Sequence, residues 1–327
     1  MPGVPEKKHA DASGDQIPQP RQPQNLQGLL RFAMEAQDGA TQSTPQLQPL
    51  DDERRNFLQA ALQSMSVDVI AIMKENITKL QQVEDISDDK VPEMIEAFDC
   101  ILDYIDNIDI ANDFHKINGF SIFEPCLRCK HDEIRARVCD LIAELSQNNP
   151  YIQGVICECT NVLPKLLNTL RHDECQIVKI KALYAISCIT RESLIGYGNF
   201  QTHNGLEALR SALETGNDKL RTKAAFLLSA LHNLDGNLHD SMLSMGFLPV
   251  IVDILQGEHQ SSHEHLLSLL KSLLIDNKNK IGDKLTPDLR QQLLGTLQSN
   301  LEFVRGKEEF SEEQEYCEQL QRFLMQQ

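Results

Sequence analysis

Four cysteines stand in two close pairs, Cys126-x-x-Cys129 and Cys157-x-Cys159. Thiolates spaced in this way can hold zinc. Against zinc, Cys126 and Cys129 fall on an amphipathic helical pattern, and the second pair lies in the next of the repeats described below. We expect no metal and no other cofactor. His259, His263 and His265 form a second cluster, with Glu264 between the last two. A zincin helix needs its second histidine four residues after the first, with Glu adjacent to the first; Leu267 occupies that place. There is no Gly-x-Ser-x-Gly elbow, phosphate-binding glycine loop or dinucleotide fingerprint. The chain is therefore not expected to be an enzyme.

The residues better suited to recognition are Tyr184 and Phe226. Each follows a lysine, Lys181 or Lys223, by three residues, one helical turn. Aromatic anchors rimmed by cations are the usual make-up of a binding hot spot. The plainer reading makes both rings core and both lysines solvated.

The elements that carry these residues repeat about every 42 residues. Gly119–Leu145, Asn161–Ile189, Gly205–Leu231 and Gly246–Leu273 align, each opening with Gly or Asn and an apolar residue. A basic-x-basic pair follows 16 to 18 residues later: Arg135-x-Arg137, Lys179-x-Lys181 and Arg221-x-Lys223, with His263-x-His265 in the fourth copy. Apolar residues then recur at i, i+3, i+4 and i+7: Val138/Leu141/Ile142/Leu145, Ala182/Ala185/Ile186/Ile189, Ala224/Leu227/Leu228/Leu231 and Leu266/Leu269/Leu270/Leu273. That stripe is core. This pattern predicts an all-α fold, an armadillo-like superhelix whose units bury their apolar faces on one another and leave a long concave surface. Offset by two from the first core position runs the stripe expected on that surface: Asp140/Glu144, Tyr184/Cys188, Phe226/Ala230 and Ser268/Ser272. With Lys181, Tyr184, Lys223 and Phe226 as contacts, Arg135, Arg137, Lys179, Arg191 and Arg221 are expected to lend positive potential.

Around four repeats at 116–276 the sequence suggests a tail at 1–50, an N-terminal helical cap at 51–115 and a C-terminal cap at 277–327. The caps rest on amphipathic patterns at Val67–Leu80, Pro92–Ile108, Pro287–Leu301 and Ser311–Met325. The tail holds seven of the 13 prolines and reads as disordered. Its one apolar island, Asn25–Met34, carries Leu26, Leu29, Leu30 and Phe32. It can be read as a helix docking on its own repeats or as a peptide offered to a partner; the flanking prolines favour the second.

The net charge of −17 is uneven. Residues 51–115 carry 16 acidic and 5 basic side chains, whereas 116–256 carry 15 and 14. No basic surplus exists to neutralise phosphates, which argues against nucleic acid. The start lacks a signal peptide's apolar run, and no stretch is long enough to span a bilayer. Nine cysteines, mostly at apolar helical positions, fit reduced thiols in cytosol or nucleus. A rod of this size is expected to be a monomer.

The chain also resembles the armadillo-type nucleotide exchange factors of heat-shock protein 70, in their cytosolic branch. The resemblance covers nearly everything beyond the first twenty residues. It is carried by Asn25-Leu26-Gln27-Gly28-Leu29-Leu30, Glu53-Arg54-Arg55, Lys179–Cys188, Lys223–Leu228, Ser244-Met245-Gly246 and His263-Glu264-His265. It implies a co-chaperone whose concave face embraces lobe II of the chaperone's nucleotide-binding domain. Lobe I is then displaced and ADP escapes. It also implies that the tail motif acts as a pseudo-substrate at the chaperone's peptide site, assisting client release. A nuclear-import adaptor would need concave tryptophans, and this chain has no Trp. The rival left standing is a non-catalytic scaffold, for example one that blocks a chaperone-associated ubiquitin ligase.

Overall fold

The computed structural model describes residues 68–159, 161–232, 234–276 and 281–326. Val69–Gln327 form one compact unit. The regular structure of the described residues is all helical, with no strand among them. The tail motif of Leu26, Leu29, Leu30 and Phe32 lies outside them.

Two helices come first, α1 (Val69–Leu80) and α2 (Val91–Ile105), the second with Pro92 in its first turn, where a missing N–H costs nothing. Four three-helix units follow. They are α3 (Ile108–Lys116), α4 (Phe123–Arg128, entered through a 3-10 turn at Gly119–Ile122) and α5 (Asp132–Ser146); α6 (Pro150–Cys159), α7 (Val162–His172) and α8 (Gln176–Thr190); α9 (Leu194–Thr202), α10 (Gly205–Glu214) and α11 (Asp218–His232); and α12 (Leu238–Ser244), α13 (Phe247–Leu255) and α14 (Ser262–Lys271, ending in a π turn, Ser272–Asp276). Two last helices, α15 (Pro287–Val304) and α16 (Ser311–Gln326), complete the chain.

The third helices stack in chain order, α5 on α8 on α11 on α14, and every residue of the four apolar stripes is 1 % exposed or less. Helix α2 continues that ladder at one end and α16 at the other. The second helices form a parallel ladder from α1, through the Gly119–Ile122 turn and α4, to α7, α10, α13 and α15. Among the described residues each terminal helix pair takes the places of a second and a third helix, so the packing that builds the repeats extends through both pairs. At the far end Arg290 donates to the Leu324 carbonyl from Nε (2.9 Å) and from Nη2.

The repeat phase differs by one residue from the sequence alignment in the first and third copies. The residues that precede the second helices are Asn118, Asn161, Asn204 and Gly246. Three of these adopt the left-handed region, at φ 66, 57 and 75° for Asn118, Asn204 and Gly246, where Asn and Gly are the tolerated residues. Gly119 and Gly205 come one position later, for a packing reason. A Cβ on Gly119 would lie 2.5 Å from the Phe114 ring, and one on Gly205 would collide with Phe200. Where the first helix offers Cys157 or Met242 instead of Phe, the next helix starts with Val162 or Phe247. Bulk is exchanged across the corner, as a close-packed core requires.

No single described helix is long and apolar enough to cross a membrane. The bent pair α12–α13 passes by composition, but its Leu238, Met242, Phe247, Leu248 and Ile251 are core.

Candidate functional site on the third-helix face

The basic-x-basic pairs, expected to lend positive potential to one surface, divide into two columns with different work. The first column turns back onto the second helix of its own repeat. Arg135 Nη1 donates to the carbonyls of Cys129 (2.9 Å) and Lys130 (3.0 Å), just past α4. Lys179 Nζ donates to Arg171 O (3.1 Å) near the end of α7, and Arg221 Nε to Leu213 O (2.9 Å) near the end of α10. These carbonyls have no intrahelical partner, so a cation there satisfies them and the helix dipole together. Arg135 also grips Asp173 of the next repeat through Nε (2.7 Å) and Nη2 (3.0 Å), and this bidentate pair raises its already high pKa. Arg135, Lys179 and Arg221 are staples between helices more than sources of free positive charge.

In the fourth repeat His263 takes the same place and is buried, its Nδ1 without a partner. Burial, and next to it the neighbouring His259, pushes its pKa down to about 4. His259 Nε2 instead meets the buried Glu313 of α16 at 2.9 Å.

The second column reaches across to the preceding repeat. Arg137 Nη2 lies 3.1 Å from Asp99 Oδ1, and Lys181 Nζ lies 2.8 Å from Asp140 Oδ1. Lys223 Nζ stands 5.4 Å above the Tyr184 ring. Each cation thus covers the position that Asp99, Asp140 and Tyr184 share in successive third helices. Phe226 holds the next such position, and Arg191, at the end of α8, lies over its ring at 5.9 Å. Pairs this exposed contribute little to folding, so what the column does is fix geometry.

The two aromatics differ. Tyr184 is half-buried, and its hydroxyl donates within reach of Gln147 Oε1 (3.0 Å) and Glu144 Oε1 (3.2 Å) from the preceding repeat. Burial, and then the adjacent Cys188 and Glu144, hold its phenol pKa well above the usual value. Phe226 is 53 % exposed and is presented outward under the Arg191 guanidinium. Lys181, Tyr184, Lys223, Phe226, Arg137 and Arg191 come together on one face. Asp99, Asp140 and Glu144 share it, so its charge is close to balanced. Cys188, expected on the stripe, is buried. Sequence reasoning missed Gln147 and Asp99; the signal for Asp99 was its place one repeat before Asp140, on a helix read only as a cap.

Cys126 and Cys129 face inward, their thiols donating to Leu80 O (3.7 Å) and Val83 O (3.6 Å). Burial, then the neighbouring Glu158, raises the Cys157 thiol to about 11. No group of three or more His, Cys, Asp or Glu is placed to hold a metal among the described residues.

The ladders define an armadillo-type protein. Solved structures agree: a designed armadillo repeat protein matches with a TM-score of 0.57 at 14% identity, over 77% of this chain and 99% of its own. Another, solved in complex with the peptide (KR)4, matches with 0.57 at 13% identity over the same shares. At these identities the likeness is one of fold alone. Residues 26–114 match the family described as "Nucleotide exchange factor Fes1", and residues 110–234 match the "SIL1/FES1/HPBP1 C-terminal domain". The Hsp70-binding protein 1 of Mus musculus is 32% identical over 312 residues, covering 92% of this chain and 86% of the relative; that of Homo sapiens is 32% identical, covering 92% and 85%. An Hsp70 nucleotide exchange factor FES1, from Candida glabrata, is 27% identical over 62% of this chain and 70% of its own. The chain belongs to the SIL1/FES1/Hsp70-binding protein 1 family.

Proposed function

We propose that this chain is a co-chaperone that binds the nucleotide-binding domain of heat-shock protein 70 and promotes ADP release. Its names among relatives, Hsp70-binding protein 1 and Hsp70 nucleotide exchange factor, support this reading. The observation that carries it to particular residues is the outward ring of Phe226 beside the fixed ring of Tyr184, framed by Lys181, Lys223 and Arg191. On this reading the third-helix face grips one lobe of the domain. The factor holds the cleft open and does no covalent chemistry itself.

Energetically the factor must prefer the open domain. A hundredfold loss of ADP affinity needs a coupling of about 2.7 kcal/mol, within the ordinary allosteric range. Linkage is reciprocal, so ADP must lower the factor's own affinity by the same ratio, and ATP, which fills the same cleft, is expected to lower it too. The test is the lifetime of the isolated complex, measured with and without ATP. We expect dissociation to accelerate when ATP is added. A complex whose lifetime ignores nucleotide would instead mark a scaffold. The buried, high-pKa thiols also suit a reducing compartment, and we assign the chain to the cytosol or nucleus; a secreted pool in fractionated cells would contradict that.

A further inference from the structure

Large apolar side chains stand out of the surface at matching places in three successive repeats. Ile108 and Leu194 open α3 and α9, and Tyr151 and Ile195 are the second residues of α6 and α9. They are 52, 74, 43 and 51 % exposed in the order Ile108, Leu194, Tyr151, Ile195. Single exposed apolar residues need no explanation, but a row in register marks a surface meant to be covered. The helix starts do not require them. The Asn107 side chain accepts from Asp109 N (2.9 Å), and Ser193 Oγ from Gly196 N (3.1 Å), so capping is already served.

The row is continuous with the third-helix face. Ile108 lines a cleft with Glu144 and Gln147, the residues that hold the Tyr184 hydroxyl. Gln147 lines the next cleft, about 250 Å³, with Pro150 and Arg191, and Arg191 lies over Phe226. At the equivalent corners before α6 and α9 the backbones of Asn148 and Glu192 sit at φ 52 and 63°, so the same left-handed turn follows the third helix in both repeats and sets the row in register.

A ligand shifts an equilibrium only by touching its two states differently. A face that grips one lobe makes those contacts whether the cleft is open or closed. Any preference for the open cleft must therefore arise beside the grip, from contacts with the other lobe. We infer that the row Ile108–Tyr151–Leu194–Ile195 is a second docking line, for the lobe of the nucleotide-binding domain that is not gripped, engaged when the cleft is open. The inference rests on the exchange-factor reading above.

The test uses the full chain with Leu194→Asp and Ile195→Asp together, and separately Ile108→Asp, each checked for an unchanged melting curve. Affinity for the nucleotide-binding domain is measured without nucleotide and with ADP, alongside ADP release and sedimentation. For the double variant, affinity for the nucleotide-free domain should fall about tenfold, with a parallel loss in exchange and affinity for the ADP-loaded domain held within about twofold. Ile108→Asp should shift the same ratio in the same direction. A wild-type preference for the nucleotide-free domain that survives both changes overturns this inference alone. So does a result in which the variants alter only self-association, which would make the row a contact between copies of this chain. A wild-type chain with no preference at all sinks the exchange reading and this inference with it.

Discussion

Replacing Phe226 by alanine removes a ring that is 53 % exposed and touches solvent on the third-helix face. Full burial of a phenylalanine stabilises a fold by about 1.5–3 kcal/mol, and here only about half of that is in play. The Arg191 guanidinium at 5.9 Å adds about 0.5–1 kcal/mol at such a site. The folding cost should therefore stay at about 1–2.5 kcal/mol, inside the usual margin of about 5–15 kcal/mol. A true hot-spot ring contributes about 2 kcal/mol or more to binding, so affinity for the nucleotide-binding domain should fall about thirtyfold. Titration calorimetry reads the affinity, release of a fluorescent ADP reads exchange, and thermal melting controls for folding. Tyr184→Phe is the comparison: it keeps the ring and loses only the hydroxyl's contacts with Gln147 and Glu144, so it should weaken binding far less. If folded Phe226→Ala binds and exchanges like the wild type, the third-helix face is not the grip and the reasoning from exposed rings is wrong.

Gly205→Ala should destabilise by about 1–3 kcal/mol, because its Cβ meets the Phe200 ring, whereas Gly198→Ala, with nothing within 4 Å of its Cβ, should stabilise by about 0.5–1 kcal/mol; chemical denaturation of both variants checks the contrast. Stability should fall as pH drops from about 6.5 towards 4, since His263 is held neutral when folded at a pKa of about 4 while the unfolded chain takes up the proton near 6.5. The raised Glu313 acts in the opposite sense, losing stability as pH rises above the unfolded carboxylate value, and offsets part of this; melting curves of His263→Leu should show a flatter acid limb, and an unchanged limb would remove His263 from the account. Leu29→Asp with Leu30→Asp should leave ADP release intact and slow client release; client release at the normal rate would reject a pseudo-substrate role for the tail.

The parts legible in the sequence are those set by contacts within one helix. The stripe Ala224/Leu227/Leu228/Leu231 is core because its spacing alone places it on one side, and Phe226, offset by two, points outward for the same reason. What depends on a neighbouring element was not legible. Lys179 and Lys181 look alike in the chain, yet one ends on the Arg171 carbonyl and the other on Asp140 of the preceding repeat. Gly119 and Gly205 suggested repeat starts, but they answer to Phe114 and Phe200 five residues earlier, which displaced the phase by one. His263 and His265 stand where the other repeats have their basic pair, and only the structure, with His259 and the α11 residues Asp218 and Arg221 beside it, shows that His263 is interior. Ile108 reads in the sequence as the end of the cap helix, which stops at Ile105, and Leu194 and Ile195 go unremarked, because apolar residues at helix starts look like core until the next repeat fails to cover them.

The central claim is that this chain speeds nucleotide loss from heat-shock protein 70. Its most direct test is the rate of fluorescent ADP release from the chaperone, followed by stopped flow in excess unlabelled ATP, as the wild-type chain is titrated. The account predicts a rate that climbs with concentration to a plateau and reaches half of its rise near the dissociation constant measured by calorimetry. Tight binding with an ADP release rate that never departs from the chaperone's own would contradict it.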